Sequence, residues 1–130
     1  FPVVMISIYN KSDYSSIIAI EQPELHIHPA TQAALGDLFI EESSEDKNKQ
    51  FIIETHSEHL LLRILRRIRE NYSSNSHDKI NFVSKDDLGI YFVEPGNDGS
   101  SFIQVRVDER GDFLDTWPRG FFPERLKEII

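Results

Sequence analysis

Cysteine is absent from the 130 residues, which excludes disulfides and cysteine-ligated zinc and fits a cytoplasmic setting. Glycine is sparse. The six glycines are Gly36, Gly89, Gly96, Gly99, Gly111 and Gly120, and none falls in a Gly-x-x-x-x-Gly-Lys-Ser/Thr run. These residues therefore supply no glycine loop and lysine of the kind that cradles phosphates. Net positive charge is missing too: the formal value is −8, so bulk attraction to nucleic acid is excluded. No apolar run approaches the roughly 20 residues of a membrane-spanning helix. Phe1–Tyr9 (FPVVMISIY) is far shorter, and no basic segment precedes it.

What remains suits one small domain with a modest core. Phe1–Tyr9 begins without Met and is expected to be the tail, over residues 1–10, of a helix whose start lies upstream. Ile17–Ile20 is a short continuous apolar run between a Ser/Asp turn and Gln22-Pro23, the pattern of a buried strand. A helix follows over Ala30–Glu42, opened by Pro29, with Ala33, Leu35, Leu38 and Phe39 as its inward stripe. Ser43–Gln50 is a polar loop and Phe51–Glu54 a second buried strand. Thr55–Ser57 supplies caps for a helix over Glu58–Glu70, with Leu61, Leu65 and Ile68 on one side. Asn71–Lys79 reads as a loop. Gly89–Glu94 and Ser101–Val107 flank Pro95–Gly99 as an antiparallel hairpin with one wet face. Asp108–Phe122 is turn-rich and aromatic, and Glu124–Ile130 is expected to close the chain with a short helix. The order predicts an α/β fold, a mainly parallel partial sheet with a parallel pair at its centre, flanking helices and an added hairpin.

Chemistry concentrates at two strand ends. Glu21 emerges where the first apolar run stops, at the carboxyl edge where open α/β sheets bind ligands. A carboxylate there can hold Mg²⁺ directly or through water, since Mg²⁺ takes hard oxygen ligands. The second run ends in Glu54-Thr55-His56-Ser57, so His56 emerges at the same edge, where an imidazole can donate to a phosphate oxygen. An acid after a buried strand is often only a cap, and a histidine there is often structural. The two together, with Pro-Glu-x-His-x-His-Pro between them, are harder to dismiss.

EQPELHIHP with a downstream ETHSEHLL resembles the ABC-type ATPases of the SMC, RecF and OLD lineage. IYFVE and VDERGDFLDTWPRGFF resemble one bacterial branch of these AAA-like ATPases, and the resemblance covers about residues 1–125. It implies the C-terminal lobe of an ATPase head over 1–130, with the Walker B to switch-histidine units in 16–70 and a hairpin and cap in 89–130. It further implies that Glu21 coordinates Mg²⁺, that Gln22 occupies the position of the catalytic base, and that His56 senses the γ-phosphate of ATP. His26, His28 and Pro29 fall in the D-loop region, which touches the partner head. Phe1–Tyr9 corresponds to the segment after the signature motif. An amide at Gln22 cannot take a proton from water and can only orient it, so hydrolysis is slow, Glu24 stands in as base, or the site is inactive. The implied cofactors are Mg²⁺ and ATP, and the implied partners are an N-terminal lobe carrying the P-loop and a second head in a homodimer that ATP bridges and product release loosens. The implied settings are DNA maintenance or phage defence. No Toprim domain is expected, because the switch-histidine helix runs straight into the hairpin.

Three alternatives stand beside this reading. Glu24, His26, His28, His56 and His59 could form a Zn²⁺ or Mn²⁺ hydrolase cluster. The fold could persist as a pure interaction module without turnover. Arg63, Arg66, Arg67 and Arg69 could form a DNA patch, although a solvated face with apolar stems explains them more simply. Trp117, Phe121 and Phe122 are expected to close a core. A lone lobe of this kind would also expose a sheet edge and apolar surface, favouring self-association.

Overall fold

The computed structural model of the chain describes residues 3–9, 16–43, 49–73 and 83–117. Within them five strands form one sheet: β1 (Val3–Ile8), β2 (Ser16–Glu21), β3 (Lys49–Thr55), β4 (Leu88–Gly96) and β5 (Gly99–Gln104), in the order β2-β3-β1-β4-β5. Helix α1 (Pro29–Glu42) links β2 to β3, and α2 (Glu58–Ser73) follows β3. The terminal helix expected over Glu124–Ile130, and the aromatic pair Phe121 and Phe122, lie outside the described residues.

Two expectations need correction. Phe1–Tyr9 does not supply a helix tail: Val3–Ile8 is a strand in the middle of the sheet, antiparallel to both β3 and β4. Its alternation explains why. Val4, Ile6 and Ile8 are buried while Val3, Met5 and Ser7 face the other way, a period of two that a helix could not exploit. Four of its six residues are β-branched, which suits a pleated surface. The second correction follows from the first. With β1 between β3 and β4, only β2–β3 is parallel, and it lies at one edge; the other three described pairings are antiparallel. The sheet is mixed rather than mainly parallel.

One face of the sheet carries the core. Val4, Ile6, Ile8, Phe51, Ile53, Ile90 and Phe92 pack with Phe39 and Ile40 of α1 and Leu60, Leu61, Ile64, Leu65 and Ile68 of α2. The Phe39 and Phe51 rings lie 5.2 Å apart. The inward side of α1 is not quite the predicted stripe: Phe39 is buried and Ala33 and Leu35 half-buried, but Leu38 is exposed and Gly36 and Ile40 are buried instead. Gly36 is there for proximity, since a Cβ would come within 3.0 Å of the Leu60 carbonyl oxygen. Trp117, 5 % exposed, closes the β4 end of the core edge-on to Phe113 at 5.2 Å and Phe92 at 6.4 Å.

The opposite face is apolar and has no helix over it among the described residues. Ile17 is 57 % and Phe102 62 % exposed, and a depression of about 420 Å³ is lined by Met5, Ile6, Ser7, Ile52, Tyr91 and Phe102. No helix among the described residues is long and apolar enough to cross a membrane.

The helix arginines are spent inside the chain. Arg63 and Arg67 both close on Asp37 of α1, at 2.7 Å each. Arg66 and Arg67 pair with Glu70. Arg69 bonds Asp112 and the Arg110 carbonyl, fastening the Asp108–Asp112 loop onto α2. In that loop Gly111 has φ +79°, and a Cβ would meet the Leu65 carbonyl oxygen at 2.6 Å.

The hydrogen bond from Arg67, with a second from Arg63, outweighs partial burial and holds the Asp37 carboxyl below its ordinary value. Likewise Arg106 lowers Asp115 to about 2. A carboxyl with a depressed folded pKa stabilises the fold above the unfolded value, and that contribution disappears as pH falls through the folded one. Urea midpoints should therefore hold steady from pH 7 to 5 and decline below about pH 4. Asp37→Asn should cost about 1 kcal/mol at pH 7 and flatten the acid decline.

Candidate functional site

Glu21 is the last residue of β2, and its neighbour across the parallel ladder is Glu54 of β3. Ile18 and Ile20 share the core face with Phe51 and Ile53, so alternation turns Glu21 and Glu54 together to the open face. Beyond this point both strands turn into helices. Gln22 follows at φ +47° and His26 at φ +64°, left-handed conformations that cost a non-glycine residue about 1–2 kcal/mol.

The two turns are tied to each other by three links. The Gln22 N–H continues the ladder by donating to the Glu54 carbonyl at 2.8 Å. The His56 N–H donates to Glu24 Oε1 at 2.8 Å. The Ser57 hydroxyl donates to Gln32 Oε1 at 2.7 Å, and Gln32 Nε2 donates back to the Ile27 carbonyl at 2.9 Å. Glu24 is the buried member, 9 % exposed, and its Oε2 has no partner among the described residues.

Each predicted residue can now be placed. Glu21 is exposed at the carboxyl edge, and Gln22 and His56 are half-buried beside it. Glu24 braces the His56 backbone rather than facing solvent. His26 lies exposed in the turn. His28 caps α1, its Nδ1 accepting from the Ala30 N–H at 3.2 Å, and Pro29 occupies the first helical turn. The hydrolase cluster does not form: no group of three or more His, Asp or Glu among the described residues converges to hold a metal. Glu24 and His28 are committed to backbone amides instead.

Sequence reasoning passed over Glu54 and Gln32. Glu54 carried a usable signal, a lone acid ending a buried run, but recognising it required the register of β2 on β3. Gln32 gave no signal, because its role is a side-chain contact between loops.

This edge suits a cation better than a phosphate. Glu21 and Glu54 offer hard oxygens. At the start of α2, by contrast, the His56 N–H is on Glu24, the Ser57 N–H on Thr55 Oγ1 at 3.0 Å, and the Leu60 N–H on the Ser57 hydroxyl at 3.1 Å. Those amides are unavailable to an anion. The strand–turn–helix pair thus presents carboxylate oxygens at this edge, with those backbone amides already engaged.

Residues 4–61 match the family model of the AAA ATPase domain. The matched span runs from β1 into the first turn of α2 and contains every residue of both turns, which supports an AAA-family ATPase region there. ATP and Mg²⁺ are the general currency of that family. No curated protein and no solved structure matches the chain.

Removing the braces should loosen the edge. Glu24→Ala is expected to cost about 2 kcal/mol, because it strips a charge-assisted bond from a partly buried amide. Ser57→Ala should cost about 1 kcal/mol as a lost helix cap. Urea denaturation of the two variants measures both.

Proposed function

We propose that this chain carries the magnesium-facing edge of an ABC-type ATPase head of the SMC, RecF and OLD lineage. The observation that carries the reading is the in-register parallel pairing of β2 and β3, with Glu21 opposite Glu54. It brings the acid ending one strand and the histidine following the other to a single edge.

In this reading Glu21 holds Mg²⁺, directly or through water, and His56 donates to the terminal phosphate of ATP. Gln22 orients the attacking water by hydrogen bonds, and its left-handed backbone presents the side chain at the mouth of the turn. Glu24 acts on His56 through the backbone, which makes it a brace rather than a stand-in base. The bound Mg²⁺ would neutralise charge building on the phosphates. The phosphate cradle comes from a lobe bearing a P-loop. His26, His28 and Pro29 lie exposed on the turn into α1, an arrangement compatible with contact to a second head in an ATP-bridged homodimer. The helix arginines favour a structural role over DNA binding, since each has an acidic partner inside the chain.

Equilibrium binding of Mg·ATP, by the chain alone and together with a P-loop-bearing lobe, tests the proposal. The chain alone should bind no tighter than the millimolar range, and turnover should appear only in the mixture. Glu21→Gln and His56→Ala should each abolish that turnover. Tight binding by the chain alone, or undiminished turnover in Glu21→Gln, would overturn the reading. Gln22→Glu, which restores a base, should raise turnover by about tenfold or more, within the usual range of general-base catalysis.

A further inference from the structure

The turn from β2 into α1 follows a path that its own residues disfavour. Gln22 and His26 both sit at positive φ, +47° and +64°. Non-glycine residues persist there only where the surrounding structure over-determines them. Part of that determination comes from α1 itself. Gln32, in the first turns of the helix, donates from Nε2 to the carbonyl of Ile27, the residue after His26, at 2.9 Å.

The other end of the same amide reaches the second turn. Gln32 Oε1 accepts from the Ser57 hydroxyl at 2.7 Å, and that hydroxyl accepts from the Leu60 N–H at 3.1 Å. A continuous run of hydrogen bonds therefore joins the Ile27 carbonyl to the start of α2. Its direction is fixed, because a carbonyl can only accept: the amide nitrogen must face Ile27 and the oxygen must face Ser57. Glutamate at this place would set two acceptors against each other.

His56 is thus gripped on both sides by the first turn. Its own N–H donates to Glu24 Oε1 at 2.8 Å, and the next residue, Ser57, is held by Gln32. Glu24 in turn accepts the Ile27 N–H on its carbonyl at 3.0 Å. Ile27, Glu24, Ser57 and Gln32 form one connected network around the His56 backbone.

We propose that Gln32 is a positioning residue for His56, a clamp that makes the β2–α1 and β3–α2 turns shift as one unit. Without its two bonds the strained turn relaxes about His26, Glu24 moves with it, and the His56 amide loses its acceptor. What the positioned histidine then does rests on the ATPase reading; the clamp itself does not.

Nuclear magnetic resonance of the 130-residue chain, without nucleotide, tests the clamp. Gln32→Met keeps the stem and removes both bonds, while Gln32→Glu keeps the acceptor for Ser57 and removes the donor to Ile27. The probes are the N–H groups of Ile27 and His56, which bond Glu24 rather than Gln32. In both variants the two signals should move together, and that of His56 should shift upfield, as it does in Glu24→Ala, which removes its acceptor outright. The Ile6 and Ile53 signals in the sheet should stay in place. A cap of α2 and nothing more would move Ser57 and Leu60 alone, and that result overturns the proposal. The wild type offers a measurement that no folding defect can obscure: a scalar coupling between Gln32 Nε2 and the Ile27 carbonyl, whose absence also overturns it.

Turnover in a mixture with a P-loop-bearing lobe separates the clamp from the reading it serves. Gln32→Met should lower kcat by about tenfold or more, within the range that misplacing a reacting group produces. KM for Mg·ATP should change little, because the P-loop supplies most of the ground-state phosphate binding. Undiminished kcat in Gln32→Met overturns the positioning role. Joint shifts at Ile27 and His56, with no turnover even in the wild-type mixture, uphold the clamp and remove the ATPase reading.

Discussion

The bond from the His56 amide to the buried carboxylate of Glu24 is the constraint on which the functional edge depends. β2 and β3 end side by side, but their following turns diverge into separate helices, and nothing in strand pairing alone keeps them together. Glu24 reaches from the first turn to the backbone of the second. Gln32 does the same one helical turn later, bonding both the Ile27 carbonyl and the Ser57 hydroxyl. The left-handed backbone at Gln22 and His26 is the conformational cost of this path. It bends the chain sharply enough to bury Glu24 while leaving Glu21 exposed.

Among the described residues the sheet behind that edge is covered by helices on one side only. Both helices pack on the same face, and the core is drawn from alternate residues of β1, β3 and β4. Each fully buried Ile or Leu there contributes about 1.5–3 kcal/mol, and the Asp37 bridge to Arg63 and Arg67 pins the helices against each other. The other face has Ile17, Ile52, Tyr91 and Phe102 with no layer over them among the described residues. Stability and chemistry are therefore separated. The helix side holds the fold, and the acids ending β2 and β3 stand on the other face.

Much of this was legible in the sequence wherever the signal was local. Pro29 marked the start of α1 to within a residue, the Thr55–Ser57 caps marked α2, and the glycines around Asn97-Asp98 marked the hairpin. Glu21 and His56 could be assigned to one edge because each follows a short apolar run. β1 was not legible, because a nine-residue apolar run fits a helix tail as well as a strand until its partners are known. Those partners, β3 and β4, are distant in the chain. Its placement is what moved the parallel pair from the centre of the sheet to the edge. Glu54 was hidden for the same reason, since its meaning lies in its register with Glu21. The Glu24 brace ends on a backbone amide, and residue types alone cannot announce a contact of that kind.

Charge is paired in some parts of the fold and left unpaired in others. A net charge of −8 is unfavourable to a compact chain, and the fold offsets it where it can, matching arginines to Asp37, Glu70, Asp112 and Asp115. At the end of β2 and β3 it does the reverse. Glu21 and Glu54 stand side by side there without a basic partner among the described residues, and Glu24 in the adjoining turn is buried with one oxygen lacking a donor. The two turns at this edge are therefore held by the β2–β3 ladder and the Glu24 brace rather than by ion pairing.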